Sequence, residues 1–169
     1  MRNHTAKWVA LYGMLISLAF IFSYIEAVIP IPIPVPGVKL GLANLVSIVG
    51  LYIVGIKGTI AVSLVRIVLV GFTFGNLSSM IYSPAGGTVS LIFMILLKKT
   101  GKFSQVGVSI MGGIGHNIGQ LTAAALITET AGVFYYLPFL MVAGVIAGAV
   151  IGLLGALVTA RIQSVVKRL

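Results

Sequence analysis

Apolar residues fill this chain in long runs, and most polar residues lie in the short segments between them. Six such runs are present, over residues 8–29, 40–56, 59–74, 77–97, 105–127 and 134–158. A helix of about 20 apolar residues is needed to cross the hydrocarbon core of a bilayer. The pattern therefore predicts an all-α membrane protein, a bundle of about six transmembrane helices.

Two breaks interrupt this pattern. Four prolines alternate with other residues between positions 30 and 36, and proline fixes φ and lacks an amide donor, so this segment is predicted to be extended. We interpret it either as a lid or as a plain rigid loop. The second break is Pro84 with the glycines at 86 and 87, inside the fourth run.

Composition supports a membrane location. Apolar residues make up 59% of the chain and charged residues 8%, whereas about a quarter of the residues in a soluble domain are charged. The 169 residues leave no room for a separate soluble domain, so we expect a single membrane domain over residues 1–169, with membrane lipid as its main solvent. The net charge of +9 does not indicate nucleic acid, because the basic residues form small groups between apolar runs.

Basic residues also predict the topology. When the segments between spans are assigned to alternating sides, Lys39 lies on one side and Arg66 lies inside the membrane. The remaining nine basic residues share the other side: Arg2, Lys7, Lys57, Lys98, Lys99, Lys102, Arg161, Lys167 and Arg168. Since cytoplasmic loops are enriched in Lys and Arg, we expect a multi-pass protein of the cell membrane with both termini in the cytoplasm.

Arg66 is the polar residue whose placement in the membrane costs the most free energy. It lies near the middle of the third span, where an arginine costs on the order of 3 kcal/mol or more unless it is paired or hydrated. The chain has only two carboxylates, of which Glu26 is the one within reach. Two explanations remain open: an ion pair with Glu26 that tethers two helices, or an anion site formed by Arg66 and Lys39.

The fifth span carries three further polar residues. His116 and Gln120 share one helix face and Asn117 lies about 100° away, so at least two of them point into the bundle. The four neighbouring glycines are also typical of a packing seam between membrane helices. Burying three strong polar groups in apolar surroundings is costly, which favours a functional role.

The polar residues converge in the outer half of the predicted bundle, together with the break at Pro84. We expect them to line a substrate-binding cavity open to the outside, since irregular backbone at membrane depth is tolerated only where it is shielded from lipid. We expect no catalytic residue, metal ligand or cofactor among them. The predicted substrate-binding residues are Glu26, Lys39, Asn44, Arg66, His116, Asn117 and Gln120.

Two motifs resemble a known family. The run PVPGVKLGLAN at residues 34–44 and GHNIGQ at residues 115–120 are similar to the bacterial Gx transporter family, also called heptaprenyl diphosphate synthase component I. In size and helix count that family looks like the S components of energy-coupling factor (ECF) transporters. The resemblance implies an S-component fold, a gate in the first loop, and as partners a transmembrane coupling subunit and two cytoplasmic ATPases.

Ala6 and Ala10 form a small-xxx-small pair near the start of the first span. Such pairs allow another helix to approach closely, although alanine is frequent enough in apolar helices for the pair to arise by chance. In S components an alanine-xxx-alanine face on the first helix docks the coupling subunit. The resemblance thus implies a docking role for Ala6 and Ala10.

Three functions are compatible with these residues. A substrate-binding transport subunit fits best: it would capture a small anionic, isoprenoid or vitamin-like molecule, and its energy would come from ATPase partners because the chain has no G-x-x-x-x-G-K motif. An enzyme of prenyl diphosphate synthesis would need Mg²⁺ held by clustered carboxylates, and the chain has no aspartate. We therefore expect no enzyme, and keep as the alternative a non-catalytic membrane subunit of that synthesis. The third function, an ion conduit, would need a continuous polar path, and the predicted spans have no comparably strong polar residue in their cytoplasmic halves.

The topology leads to a first prediction. A reporter that is active only in the cytoplasm, fused after Leu169, should be active, because the basic segments hold both termini on the cytoplasmic side. The same reporter inserted after Glu129 should be inactive. Activity of the second fusion and inactivity of the first would invert the topology.

Overall fold

A computed structural model describes residues 2–29, 41–74 and 77–166. This part of the chain forms six α-helices and one short 3₁₀ helix, and it contains no strand, which confirms the predicted all-α fold. The helices are α1 (Arg2–Val28), α2 (Asn44–Ile53), α3 (Gly55–Thr73), α4 (Leu77–Thr100), α5 (Gln105–Thr128) and α6 (Leu137–Val166), with the 3₁₀ helix at Ala131–Tyr136 before α6.

Four segments of the described residues are long and apolar enough to cross a membrane. They are Ala6–Val28, Gly55–Thr73, Met80–Thr100 and Ala131–Ser164. Large apolar side chains face outward on them; Phe72 on α3, for example, is 86% exposed. These surfaces need lipid as their solvent, so the protein is a multi-pass membrane protein.

The other two helices lie inside the bundle. Helix α2 has 10 residues, a length of about 15 Å, so it is shorter than the expected span over residues 40–56. Helix α5 has 24 residues but carries His116, Asn117 and Gln120, and half of its residues are buried. Its polarity is possible because α4 and α6 cover it on two sides.

Helix α2 forms the centre of the packing. It touches all five other α-helices, and the side chains of Ile48 and Leu51 are fully buried. The turn before α2 depends on Gly41, whose φ of +83° is accessible to glycine. At the other end of α2, Lys98 donates a hydrogen bond to the carbonyl oxygen of Leu51 and lies 4.6 Å from the centre of the Tyr52 ring.

Glycines allow α6 to pack closely on α5. A Cβ atom added to Gly148 would lie 2.6 Å from Ile110 Cα and 2.8 Å from Ser109 O. By contrast, a Cβ atom on Gly13 of α1 would meet nothing within 4 Å. One glycine is thus required by helix contact and the other is not.

These two glycines give a matched pair of variants. Gly148→Ala should lower the melting temperature in detergent, because the helices must separate and overpacking costs about 1–3 kcal/mol. Gly13→Ala should leave the melting temperature unchanged or raise it slightly, since alanine favours a helix over glycine by about 1 kcal/mol. Equal effects of the two substitutions would contradict the packing described here.

Candidate functional site

The site is built around Arg66, in the middle of α3. The helix runs from Gly55 to Thr73, so Arg66 lies about 16 Å from its beginning and about 10 Å from its end along the axis. The side chain is only 7% exposed. All other basic residues in the described part of the chain lie within about two turns of a helix end or outside the helices. Arg66 is therefore a charge held away from the membrane surfaces.

Three helices surround the guanidinium group. Its Nη1 atom donates a hydrogen bond to Ser23 Oγ on α1 over 3.4 Å, and that hydroxyl in turn donates to Ala19 O over 2.9 Å. On the other side, a Cβ atom added to Gly87 of α4 would lie 3.4 Å from Nη2. The long bond to Ser23 is the one hydrogen bond that Arg66 makes to the described residues, although a guanidinium group has five N–H donors.

Glu26 accepts hydrogen bonds from backbone amides, whereas a tether between helices would require an ion pair with Arg66. Its Oε1 atom accepts hydrogen bonds from Gly41 N and from Leu42 N, the latter over 3.3 Å, so the carboxylate holds the turn that leads into α2. Glu26 attracts Arg66 electrostatically, but within the described residues the two side chains form no direct ion pair. Of the two explanations for Arg66, the tether is thus not the arrangement found.

His116 lies between the turn before α2 and the segment of α4 that follows Pro84. The predicted break at Pro84 is wrong, because α4 continues as an α-helix through this segment. A Cβ atom on Gly41 would be 2.9 Å from Asn44 Nδ2 and 3.4 Å from His116 Nε2, whereas a Cβ atom on Gly86 would be 3.0 Å from His116 Nδ1. The same atom on Gly86 would be 2.6 Å from Gln120 Cγ. Both glycines let backbone approach the imidazole closely, and Asn44, His116 and Gln120 are all buried.

Asn117 points in another direction. Its Nδ2 atom donates a hydrogen bond to Leu140 O over 2.6 Å, so its amide group links α5 to α6. This side of α5 differs from the one that carries His116 and Gln120, as the 100° offset predicts. Lys39 and the prolines of the first loop, for which we predicted roles in binding and gating, lie outside the described residues.

Arg66 also lines two cavities in the cleft between α3 and α4. One, of about 190 Å³, extends toward the end of α3 and includes Ser83 and Pro84. The other, of about 250 Å³, extends toward the beginning of α3 and includes Ser47 and Ser63. Among the predicted binding residues that the structure describes, the walls of these two cavities contain Arg66 alone. Arg66 with Ser23 forms one polar region. The neighbouring polar region, which we call the His116 group, consists of Asn44, His116 and Gln120.

Ser23 is a contact of Arg66 that sequence analysis did not identify. It lies three residues before Glu26 on α1, and residues at this spacing share a helix face. One indication of this contact was present in the sequence: Ser23 lies on the same face of α1 as the carboxylate of Glu26. Serine is common in membrane helices, however, and nothing in the sequence pairs position 23 with position 66.

Ala6 and Ala10 are exposed on α1. They share a helix face with Gly13 and Ser17, which are also exposed, and the buried side of α1 carries Leu11 and Leu15 instead. This small-residue face makes no contact within the described bundle that buries it. It is therefore free to meet another helix or lipid.

Comparison with known proteins identifies the family. The family model described as heptaprenyl diphosphate synthase component I matches residues 15–158. No curated protein and no solved structure shows a significant match. The match to the family model covers α2 to α5, about half of α1 and most of α6, including Arg66 and His116. The chain therefore belongs to the heptaprenyl diphosphate synthase component I family.

Proposed function

We propose that this protein is a membrane-embedded substrate-binding subunit of a transporter, similar to an ECF S component. It captures a small anionic molecule from the outer side and delivers it inward with the help of partner ATPases. It is not an enzyme, since a chain with two glutamates and no aspartate lacks the clustered oxygen ligands that Mg²⁺-dependent diphosphate chemistry uses.

The state of Arg66 carries this proposal. A buried arginine in a membrane helix faces the bundle interior or a cavity and is normally paired. Arg66 has a single long hydrogen bond to Ser23, no ion pair among the described residues, and two adjoining cavities. An oxyanion in one of these cavities would supply the charge-assisted bonds that the guanidinium group favours.

Partner docking would use α1. A coupling subunit would need a face where a helix can approach closely, and Ala6, Ala10 and Gly13 offer one on the outside of the bundle. The motor domains would bind on the cytoplasmic side, where the predicted topology places the basic segments.

The description of the family supports a second candidate function. If this protein is a component of heptaprenyl diphosphate synthase, as the family description says, it is a non-catalytic membrane subunit. It would anchor the soluble enzyme or hold its product. The anion site at Arg66 fits a phosphorylated product as well as a transported substrate. The identity of the partner proteins separates the two functions.

Substitution of Arg66 tests the anion site. For the wild type in detergent, a panel of anionic isoprenoid and vitamin-like compounds should contain one that raises the melting temperature, because saturation at 100 times Kd stabilises a protein by about 2.7 kcal/mol. Arg66→Gln should abolish the shift, and Arg66→Lys should retain part of it.

Arg161→Gln is the matched control, since Arg161 is an exposed arginine on α6. This variant should show the full shift, which separates a specific site from general attraction by net charge. A full shift for Arg66→Gln with the same compound would contradict the anion site.

Purification with native partners tests the two candidate functions. The tagged protein should recover ATPase subunits, and the double variant Ala6→Leu, Ala10→Leu should lose them because leucine prevents close helix approach. Ala160→Leu, at an exposed alanine of α6, should leave recovery unchanged. Recovery of a soluble prenyltransferase without ATPases would favour the second function.

A further inference from the structure

The cleft between α3 and α4 opens toward the surrounding lipid. Contact between these two helices is much less extensive than between α4 and α5. The rim of the cleft carries apolar side chains that are exposed in the bundle, among them Leu64 (59%), Val68 (55%) and Ile92 (49%). In a membrane protein such residues face acyl chains. A molecule dissolved in the bilayer therefore reaches the cleft sideways, without passing the outer loops.

The two cavities in this cleft share Arg66 and Ile67. The larger one lies between α2, α3 and α4, and its walls are mainly apolar: Ile60, Leu64, Leu91, Ile92 and Ile95. Binding pockets for small organic ligands have volumes of about 300–1,000 Å³. Each cavity alone is below this range, and the two adjoin at Arg66 and Ile67. The arrangement thus suits an elongated ligand better than a compact one.

Charge determines which end of such a ligand lies at Arg66. The guanidinium group is the one basic group in the walls of these cavities as far as they are described, and it attracts an oxyanion. One oxyanion at Arg66 and an apolar chain beside Leu64 and Leu91 complement both parts of the cleft.

Building on the proposed anion site, we propose that the ligand is a single-chain amphiphile with one oxyanion headgroup, which enters between α3 and α4 from the outer leaflet of the bilayer. The headgroup binds Arg66, and the chain lies in the cavity formed by α2, α3 and α4.

Monoalkyl phosphates in nanodiscs of phosphatidylcholine test this inference. Methyl, octyl and dodecyl phosphate supply the same headgroup with no chain, an intermediate chain and a long chain. Dodecyl phosphate should bind wild-type protein at one saturable site, at least about tenfold more tightly than methyl phosphate. Arg66→Gln should weaken both compounds.

Two variants narrow the cavity and leave Arg66 in place. Ser63→Phe and, at the exposed rim, Thr88→Phe should weaken dodecyl phosphate at least about tenfold and leave methyl phosphate unchanged. Leu153→Phe on the lipid-facing surface of α6 is the control and should change neither affinity. The melting temperature of each variant without ligand shows whether it is folded, and Thr88→Phe decides the question if Ser63→Phe is not.

A dodecyl phosphate with a photoreactive diazirine in the middle of its chain locates the bound chain directly. Crosslinks in wild-type protein should map to α3 and α4 near Leu64 and Ile92. Crosslinks spread evenly over the exposed helices would overturn the inference, as would displacement of the probe by an equimolar amount of phosphatidylglycerol.

The outcomes separate this inference from the proposed function. If Arg66→Gln weakens all three phosphates equally and the two phenylalanine variants change nothing, Arg66 binds a soluble anion and the amphiphile inference fails alone. If Arg66→Gln changes no affinity, the anion site itself is wrong.

Discussion

The desolvation of one guanidinium group is the constraint on which the rest of this structure depends. An arginine in the middle of an apolar helix needs polar neighbours or water, and the three helices nearest Arg66 carry features that accommodate it. Helix α1 supplies the hydroxyl of Ser23, α4 has glycine at the point of closest approach, and the cleft between α3 and α4 leaves open space. The weakest packing between neighbouring long helices therefore occurs where the charge lies.

Glu26 and His116 lie beside this region, outside the described walls of its two cavities. Glu26 accepts the amides of Gly41 and Leu42 and so determines where α2 begins, and α2 in turn forms one wall of the larger cavity. His116 packs between Gly41 and Gly86 and occupies the space between α2 and α4. His116 therefore packs between two of the helices that enclose Arg66.

Much of the fold was predictable from the sequence, because long apolar runs leave little choice but membrane helices. The length of α2 was not predictable, because the apolar run continues through residues 54–56 and into α3. In the structure, the positive φ of Gly55 marks the boundary between the two helices. For the site, the cost of burial identified Arg66, His116 and Gln120 correctly as buried polar groups. Partners were harder to predict: the amide of Asn117 reaches α6, the carboxylate of Glu26 binds backbone, and Ser23 contacts Arg66 across 43 positions of sequence. Such pairings depend on helix rotation, which hydropathy does not determine.

An experimental structure with a monoalkyl phosphate that carries bromine at the end of its chain tests the central claim most directly. Bromine and phosphate together give the position and the direction of the bound molecule. The account predicts phosphate oxygens within hydrogen-bonding distance of Arg66 and the bromine atom between α3 and α4, near Leu91. A phosphate held instead by His116 and Asn44, with Arg66 paired to Glu26, would contradict it.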